Sequence, residues 1–203
     1  MSLARLPIAL LFLTAFPPIC SADTLYDNGD FDQRTALRSV RGTSLPFDVA
    51  DDFTLTAVSV IEEIQAKFVF RDFPSTLDML VYEYTPEGPG DIVEEIRDLD
   101  YEVSDLGVFR GLTSATVTIL GLSFALAPGD YFLSIRGVAS DDNEVSYWGS
   151  TGPSPVNLGE GYFRSEDYGY PNWVPVSRLY GIPGVDFSFK LLSYPCSHLA
   201  CRW

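Results

Sequence analysis

Hydrophobic and polar residues alternate with a period of two over most of this chain, the pattern of strands with one buried face. It is clearest after the turn dipeptide Pro128-Gly129, where Tyr131, Leu133 and Ile135 fall on one face and Phe132, Ser134 and Arg136 on the other. Phe47–Leu55 alternates with Phe53 and Leu55 together. An apolar run covers Val58–Ile64, and Ala66–Arg71 sets Phe68 and Phe70 against Lys67, Val69 and Arg71. Leu77–Tyr84 carries large apolar residues on both sides, so both of its faces are expected to be covered, and Pro86–Gly90 closes it with a turn. Thr116, Thr118 and Leu120 alternate with Val117 and Ile119, Val145–Trp148 reads as another short strand, and Val185–Leu192 as the last.

Other stretches carry weaker signals. Leu25–Asp30 reads as a short strand breaking into an Asn-Gly turn, and Gln33–Ser44 as a loop with Arg34, Arg38 and Arg41 but no apolar stripe. Asp91–Leu99 suits a helical turn as well as an irregular strand, because Ile92, Val93 and Ile96 fit either period. Gly149–Pro183 is a long region rich in Gly, Pro and aromatic residues. About nine short strands, frequent turn dipeptides and no long helical period predict an all-β fold, a β-sandwich of jelly-roll or related Greek-key type.

The first 22 residues follow a different logic. Arg5 precedes the apolar run Leu6–Phe16, then Pro17-Pro18, then the small residues Ser21 and Ala22. The run is short for a membrane span and has the three parts of a secretory signal peptide, with cleavage expected between Ala22 and Asp23. The plainer reading, a buried N-terminal helix, is opposed by the prolines, and Pro17-Pro18-Ile19 is a poor lipobox for Cys20. The expected organisation is a leader at 1–22, a β-sandwich domain at 23–192 and a Cys-containing tail at 193–203. Cys196 and Cys201 remain as an even pair in an oxidising compartment, and a local disulfide between them is expected. With a single histidine, His198, a structural zinc site is disfavoured.

Thirteen basic against 28 acidic residues give a formal charge of −15, one unit more negative once the leader is removed. Such a surface repels phosphate backbones, so nucleic acid is excluded as a partner, and no membrane span is expected after cleavage. Fourteen Phe and 11 Tyr supply a substantial core, each buried large apolar side chain contributing about 1.5–3 kcal/mol.

Taken together, Tyr26-Asp-Asn-Gly29, Ala50-Asp-Asp-Phe53, Val81-Tyr-Glu-Tyr84 before Gly88-Pro-Gly90, Ala127–Ile135, Tyr147-Trp148 and Phe187–Leu192 resemble a recurring secreted bacterial β-sandwich. That domain is common in PEP-CTERM and other sorting-anchored proteins and in planctomycete surface proteins. The resemblance covers essentially all of 23–203 and implies the sandwich fold and an extracellular location, with no established activity to carry over. After Leu192 this chain has neither an apolar anchor helix nor a basic stop, so release into the medium, periplasm or matrix is expected.

The candidate ligand surface is aromatic. Tyr147, Trp148, Tyr162, Phe163, Tyr168, Tyr170 and Trp173 cluster in sequence, and exposed Tyr and Trp faces stack on sugar rings. Trp148 and Trp173 are the leading residues of such a platform, with Tyr147 and Tyr170 beside them. The plainer reading is that these rings cover the open end of the sandwich. Acidic groups at Asp27-Asn28 with Asp30, at Asp51-Asp52 and at Asp141-Asp142-Asn143-Glu144 have the composition of calcium loops but not EF-hand spacing. Asp141, Asp142 and Asn143 are the metal candidates, against ordinary turn chemistry.

Catalysis is the weaker expectation. Glu62-Glu63 and Glu94-Glu95 would point to opposite faces of strands, no Gly-x-Ser-x-Gly turn accompanies His198, and no phosphate-binding or dinucleotide motif is present. The expected function is a non-catalytic extracellular matrix or adhesion protein that binds polysaccharide or other matrix components. The alternatives are a jelly-roll enzyme that processes glycans and an accessory domain without a small ligand.

Overall fold

The structure, a computed structural model, describes residues 21–152, 159–181 and 184–194. They form two packed, almost wholly antiparallel sheets, a β-sandwich. The strands are β1 (Asp23–Asp27), β2 (Ala36–Arg38), β3 (Val40–Arg41), β4 (Asp48–Leu55), β5 (Ser59–Phe70), β6 (Thr76–Thr85), β7 (Gly88–Leu99) and β8 (Glu102–Phe109). They continue as β9 (Leu112–Leu126), β10 (Gly129–Val138), β11 (Ser146–Gly152), β12 (Tyr162–Ser165), β13 (Tyr170–Pro175), β14 (Asp186–Phe187) and β15 (Phe189–Ser193). Among the described residues a 3-10 turn spans Glu166–Tyr168 and one short α-helix, α1, spans Ser177–Tyr180.

The expected nine strands are therefore corrected to 15 among the described residues. Most of the excess comes from pieces too short to show a period, and β8, though eight residues long, is exposed at nearly every position and so has no buried face to show one. The loop expected over Gln33–Ser44 contains β2 and β3, and the Gly- and Pro-rich region contains β12 and β13. Asp91–Leu99 is a strand, part of β7, and its irregular pattern reflects register shifts against β6. The runs at Val58–Ile64 and Ala66–Arg71 are one strand, β5, with a bulge against β9 between Ile61 and Glu63.

The first sheet holds eight strands, with β5 between β9 on one side and β15 and β11 on the other, and β8 beyond β9. The second holds seven in the order β13-β12-β4-β10-β6-β7, with β3 parallel to the end of β10. Consecutive strands repeatedly change sheet, so the inner faces are assembled from residues far apart in sequence. Phe53, Met79, Val81, Leu133 and Ile135 of the second sheet meet Ile64, Phe68, Phe70, Val117, Ile119, Trp148, Phe187 and Phe189 of the first.

The second sheet also has a covered outer face. Ala50, Leu80, Tyr82 and Phe132 form a separate buried cluster, with Tyr84, Tyr162 and Trp173 packed on it. This is why Leu77–Tyr84 reads as apolar on both sides. The outermost strands β13 and β7 lie against each other, so the sheet curls with this face on the inside of the curl. Gly88 on β7 adopts φ 121°, and a Cβ there would stand 2.6 Å from the Tyr162 ring of β12. Glycine lets the curl close.

Candidate functional site

Trp148 and Tyr147 occupy adjacent positions on β11 and therefore opposite faces. Trp148 is fully buried, stacked on Phe68 and Phe187, with its indole N–H donated to the Ser188 carbonyl at 3.0 Å. It is a core residue, which corrects its assignment to an exposed platform. Tyr147 is half-buried on the outer face of the first sheet, between Val69 and Arg38 on the neighbouring strands. Tyr170 packs edge-on against Phe163 of the core. Trp173 alone reaches the inside of the curl, where Tyr82 meets it edge-on and the Arg164 guanidinium lies over its ring, 4.6 Å from the centroid. The four aromatic candidates thus go to four places and make no common platform.

The metal candidates lie in an exposed turn between β10 and β11. Asp141 Oδ1 accepts the Asn143 N–H at 2.7 Å, and Asp142 Oδ1 accepts the Ser44 N–H at 2.7 Å, which holds the Asp142 carboxyl below its usual range. The first is a turn-forming bond of the Asx kind, and the second ties this turn to the distant segment at Ser44. No group of three or more His, Cys, Asp or Glu side chains able to hold a metal occurs among the described residues. Cys196, Cys201 and residues 1–20 of the expected leader lie outside the described residues.

The adjacent carboxyls Asp51 and Asp52 are structural in setting. Asp51 points between the sheets and is fully buried. Its Oδ2 accepts Asn28 Nδ2–H at 2.7 Å and the Phe187 N–H at 2.5 Å. Burial, reinforced by nearby Asp186, pushes the Asp51 carboxyl well above its ordinary range. Burial also pushes the Tyr26 hydroxyl beside it far up, so the phenol keeps its proton.

What the topology does assemble is a charged grid on the curled face, none of it anticipated from sequence. Arg164 on β12 stands opposite Asp48 on β4, and Arg136 on β10 opposite Asp78 on β6. Asp48 is held through both oxygens, Oδ1 by Arg136 Nη1 at 2.6 Å and Oδ2 by Arg164 Nε at 2.8 Å. Asp78, fully buried, accepts Arg136 Nε–H at 3.2 Å, two bonds from Arg41 and the Asp98 N–H at 3.2 Å. Arg41 also reaches Asp98 at 3.0 Å. Burial raises the Asp78 carboxyl, but the Arg41 bond, the Asp98 amide and the Arg136 charge outweigh it and leave it below the usual carboxylate range. Burial works against the Arg136 charge, yet Asp48 and Asp78 hold its pKa above the usual value.

Over this grid opens a cleft of about 380 Å³, lined by Arg41, Asp48, Arg136 and Arg164 with Pro46 and Pro171, and by Ser165, Glu166 and Asp167 at its wall. Ser165 donates its hydroxyl to the Pro46 carbonyl at 2.7 Å and ties that wall down. The signal for this site was present in the sequence as charges at outward positions of apolar strands: Asp78 within Leu77–Val81, and Arg136 after Phe132 and Ser134. No protein-family model matches the chain, and no curated protein matches it. No helix among the described residues is long and apolar enough to cross a membrane.

Proposed function

We propose that the protein is a secreted, non-catalytic β-sandwich that serves extracellular adhesion or matrix and binds neutral glycan in the cleft over the second sheet. The carrying observation is the grid itself, in which three guanidinium groups are matched by three carboxylates and held rigid by mutual hydrogen bonds. Planar, preorganised donors and acceptors side by side suit the vicinal hydroxyls of a pyranose, and little ordering entropy is lost when it binds. The matched charges, with Glu166 and Asp167 at the wall, disfavour uronates and sulfated sugars. Trp173 acts through Arg164, whose guanidinium it holds flat by cation–π contact. A hydrolase reading would need two carboxyls facing each other across the cleft, whereas both oxygens of Asp48 are engaged by arginine and Glu166 and Asp167 stand side by side on one wall.

The test is calorimetric titration against neutral and acidic polysaccharides, comparing the native chain with Arg164→Ala and Trp173→Phe. Binding confined to neutral glycans is expected, weakened about tenfold or more by Arg164→Ala and less by Trp173→Phe. Silence across the panel would refute the reading and favour an accessory domain without a small ligand.

A further inference from the structure

We infer that the opposite face of the sandwich carries a second saccharide subsite, so that one molecule bridges two glycan chains. The inference rests on the glycan reading above. On the outer face of the first sheet lies another cavity of about 380 Å³, lined by Asp30, Phe31 and Gln33 from the segment after β1, Lys67 of β5, Asp105 and Gly107 of β8, and Ser114 and Ala115 of β9. That volume falls in the lower part of the ~300–1,000 Å³ range of small-ligand sites.

The backbone is bent to make it. β8 shifts register against β9 between Ser104 and Gly107, and Asp105 in that bulge adopts φ 49°. Gln33 on the facing wall has φ 57°, and Arg110, in the turn after β8, has φ 50°. Two of the four non-glycine residues with left-handed φ among the described residues therefore line this one cavity, while Arg110 with Gly111 (φ 82°) makes the two-residue hairpin turn between β8 and β9. Each costs about 1–2 kcal/mol, and such residues gather where a site needs an unusual backbone path. Arg110 fastens the two walls, donating Nη2–H to the Arg34 carbonyl at 2.8 Å and lying over Phe109, which packs edge-on against Phe31.

The chemistry of the lining selects the ligand. Lys67 donates to Thr116 Oγ1 and to Asp105 Oδ2 (3.4 Å), which leaves one ammonium proton uncommitted. Thr116 donates to the same Asp105 oxygen at 2.7 Å, so Asp105 Oδ1 remains as an acceptor. With the Gln33 amide, the Ser114 hydroxyl and the Asp30 carboxylate, donors and acceptors stand in similar supply along an apolar wall, Phe31. Groups that both donate and accept along a ring with an apolar face meet that lining, and sugar hydroxyls do so. Two carboxylates against one ammonium disfavour an anion. The two cavities open on the outer faces of the two sheets, so ligands in them point away from one another, and a protein loaded at both links two separate chains.

The experiment uses the full chain, a soluble neutral polysaccharide that it binds and an oligosaccharide of the same repeat. Calorimetry is expected to give two oligosaccharides per protein for the native chain, and one for Asp30→Ala, for Lys67→Met and for Arg164→Ala. Polysaccharide bridging, read as turbidity, is expected to vanish in each variant. Asp30 is exposed and makes no hydrogen bond among the described residues, so Asp30→Ala keeps the test sound if Lys67→Met unfolds. One oligosaccharide per native protein, abolished by Arg164→Ala and indifferent to Asp30→Ala and Lys67→Met, would overturn the second subsite and leave the first reading standing. A native chain that binds no member of the panel overturns both.

Discussion

Replacing Asp78 by alanine removes the acceptor on which four donor groups converge: Nε and Nη2 of Arg41, Nε of Arg136 and the Asp98 N–H. Arg136, only 12% exposed at its side chain, keeps one bond to Asp48 but loses its Nε partner, and Arg41, 31% exposed, can turn to water and Asp98. Breaking a buried ion pair from one side costs about 3–5 kcal/mol. Because both arginines keep a second carboxylate, about 3 kcal/mol is the reasoned loss, a large part of the 5–15 kcal/mol that a domain has. For a chain of this size, that lowers the melting midpoint by roughly 6–12 °C.

Asp78→Asn, which keeps the shape and the acceptor oxygen but not the charge, should fall between native and alanine. The pH dependence has a definite sign. The native pKa of Asp78 lies below its unfolded value, so its contribution is complete above the unfolded carboxylate pKa of about 3.9 and is lost as pH falls through the lower native value. The gap between native and Asp78→Asn in chemical denaturation should therefore be full at pH 7 and shrink below about pH 4. A loss under 1 kcal/mol for Asp78→Ala, or a gap unchanged from pH 7 to pH 3, would refute the account of the grid.

Asp51 has the opposite sign: its native pKa is raised, so its contribution is complete below the unfolded pKa and is lost as pH rises through the raised one. Asp51→Asn, whose amide oxygen can keep the Asn28 and Phe187 bonds, should raise the melting midpoint at pH 7.5 by about 2–4 °C, roughly 1 kcal/mol, with no gain at pH 4; equal effects at both values would count against a neutral Asp51. Gly88→Ala forces a Cβ into the Tyr162 ring at a left-handed φ and should cost about 1–3 kcal/mol in urea denaturation, and an unchanged midpoint would show that β7 does not close on Tyr162. Millimolar calcium or a chelator should leave the melting curve of the native chain in place, because Asp141 and Asp142 already accept backbone amides; a rise with calcium would restore the loop as a metal site, since a ligand of the native state must stabilise it.

Local pattern is enough to read strands whose two faces differ. The period of two placed Leu133 and Ile135 inside, and Lys67 opposite Phe68, because burial of alternate side chains is a property of single strands. Long strands with one buried face were thus legible, as was the sandwich they build, while β2, β3, β12 and β13 were not, being held by pairing partners rather than by a period of their own.

The site was beyond the reach of local reading for a related reason. The aromatic residues from Tyr147 to Trp173 cluster in one region of the sequence, but Trp148 turns into the core and Trp173 lies on the far side of the other sheet. Asp48, Asp78, Arg136 and Arg164, scattered along the chain, become neighbours only when β4, β6, β10 and β12 pair in register. Alternation along a strand decides which side chains face the core, and the sequence determined that by itself. Which outward-facing side chains share a face depends on strand order and on the curl of the sheet, both set by contacts between distant segments, and the tertiary structure alone decided it.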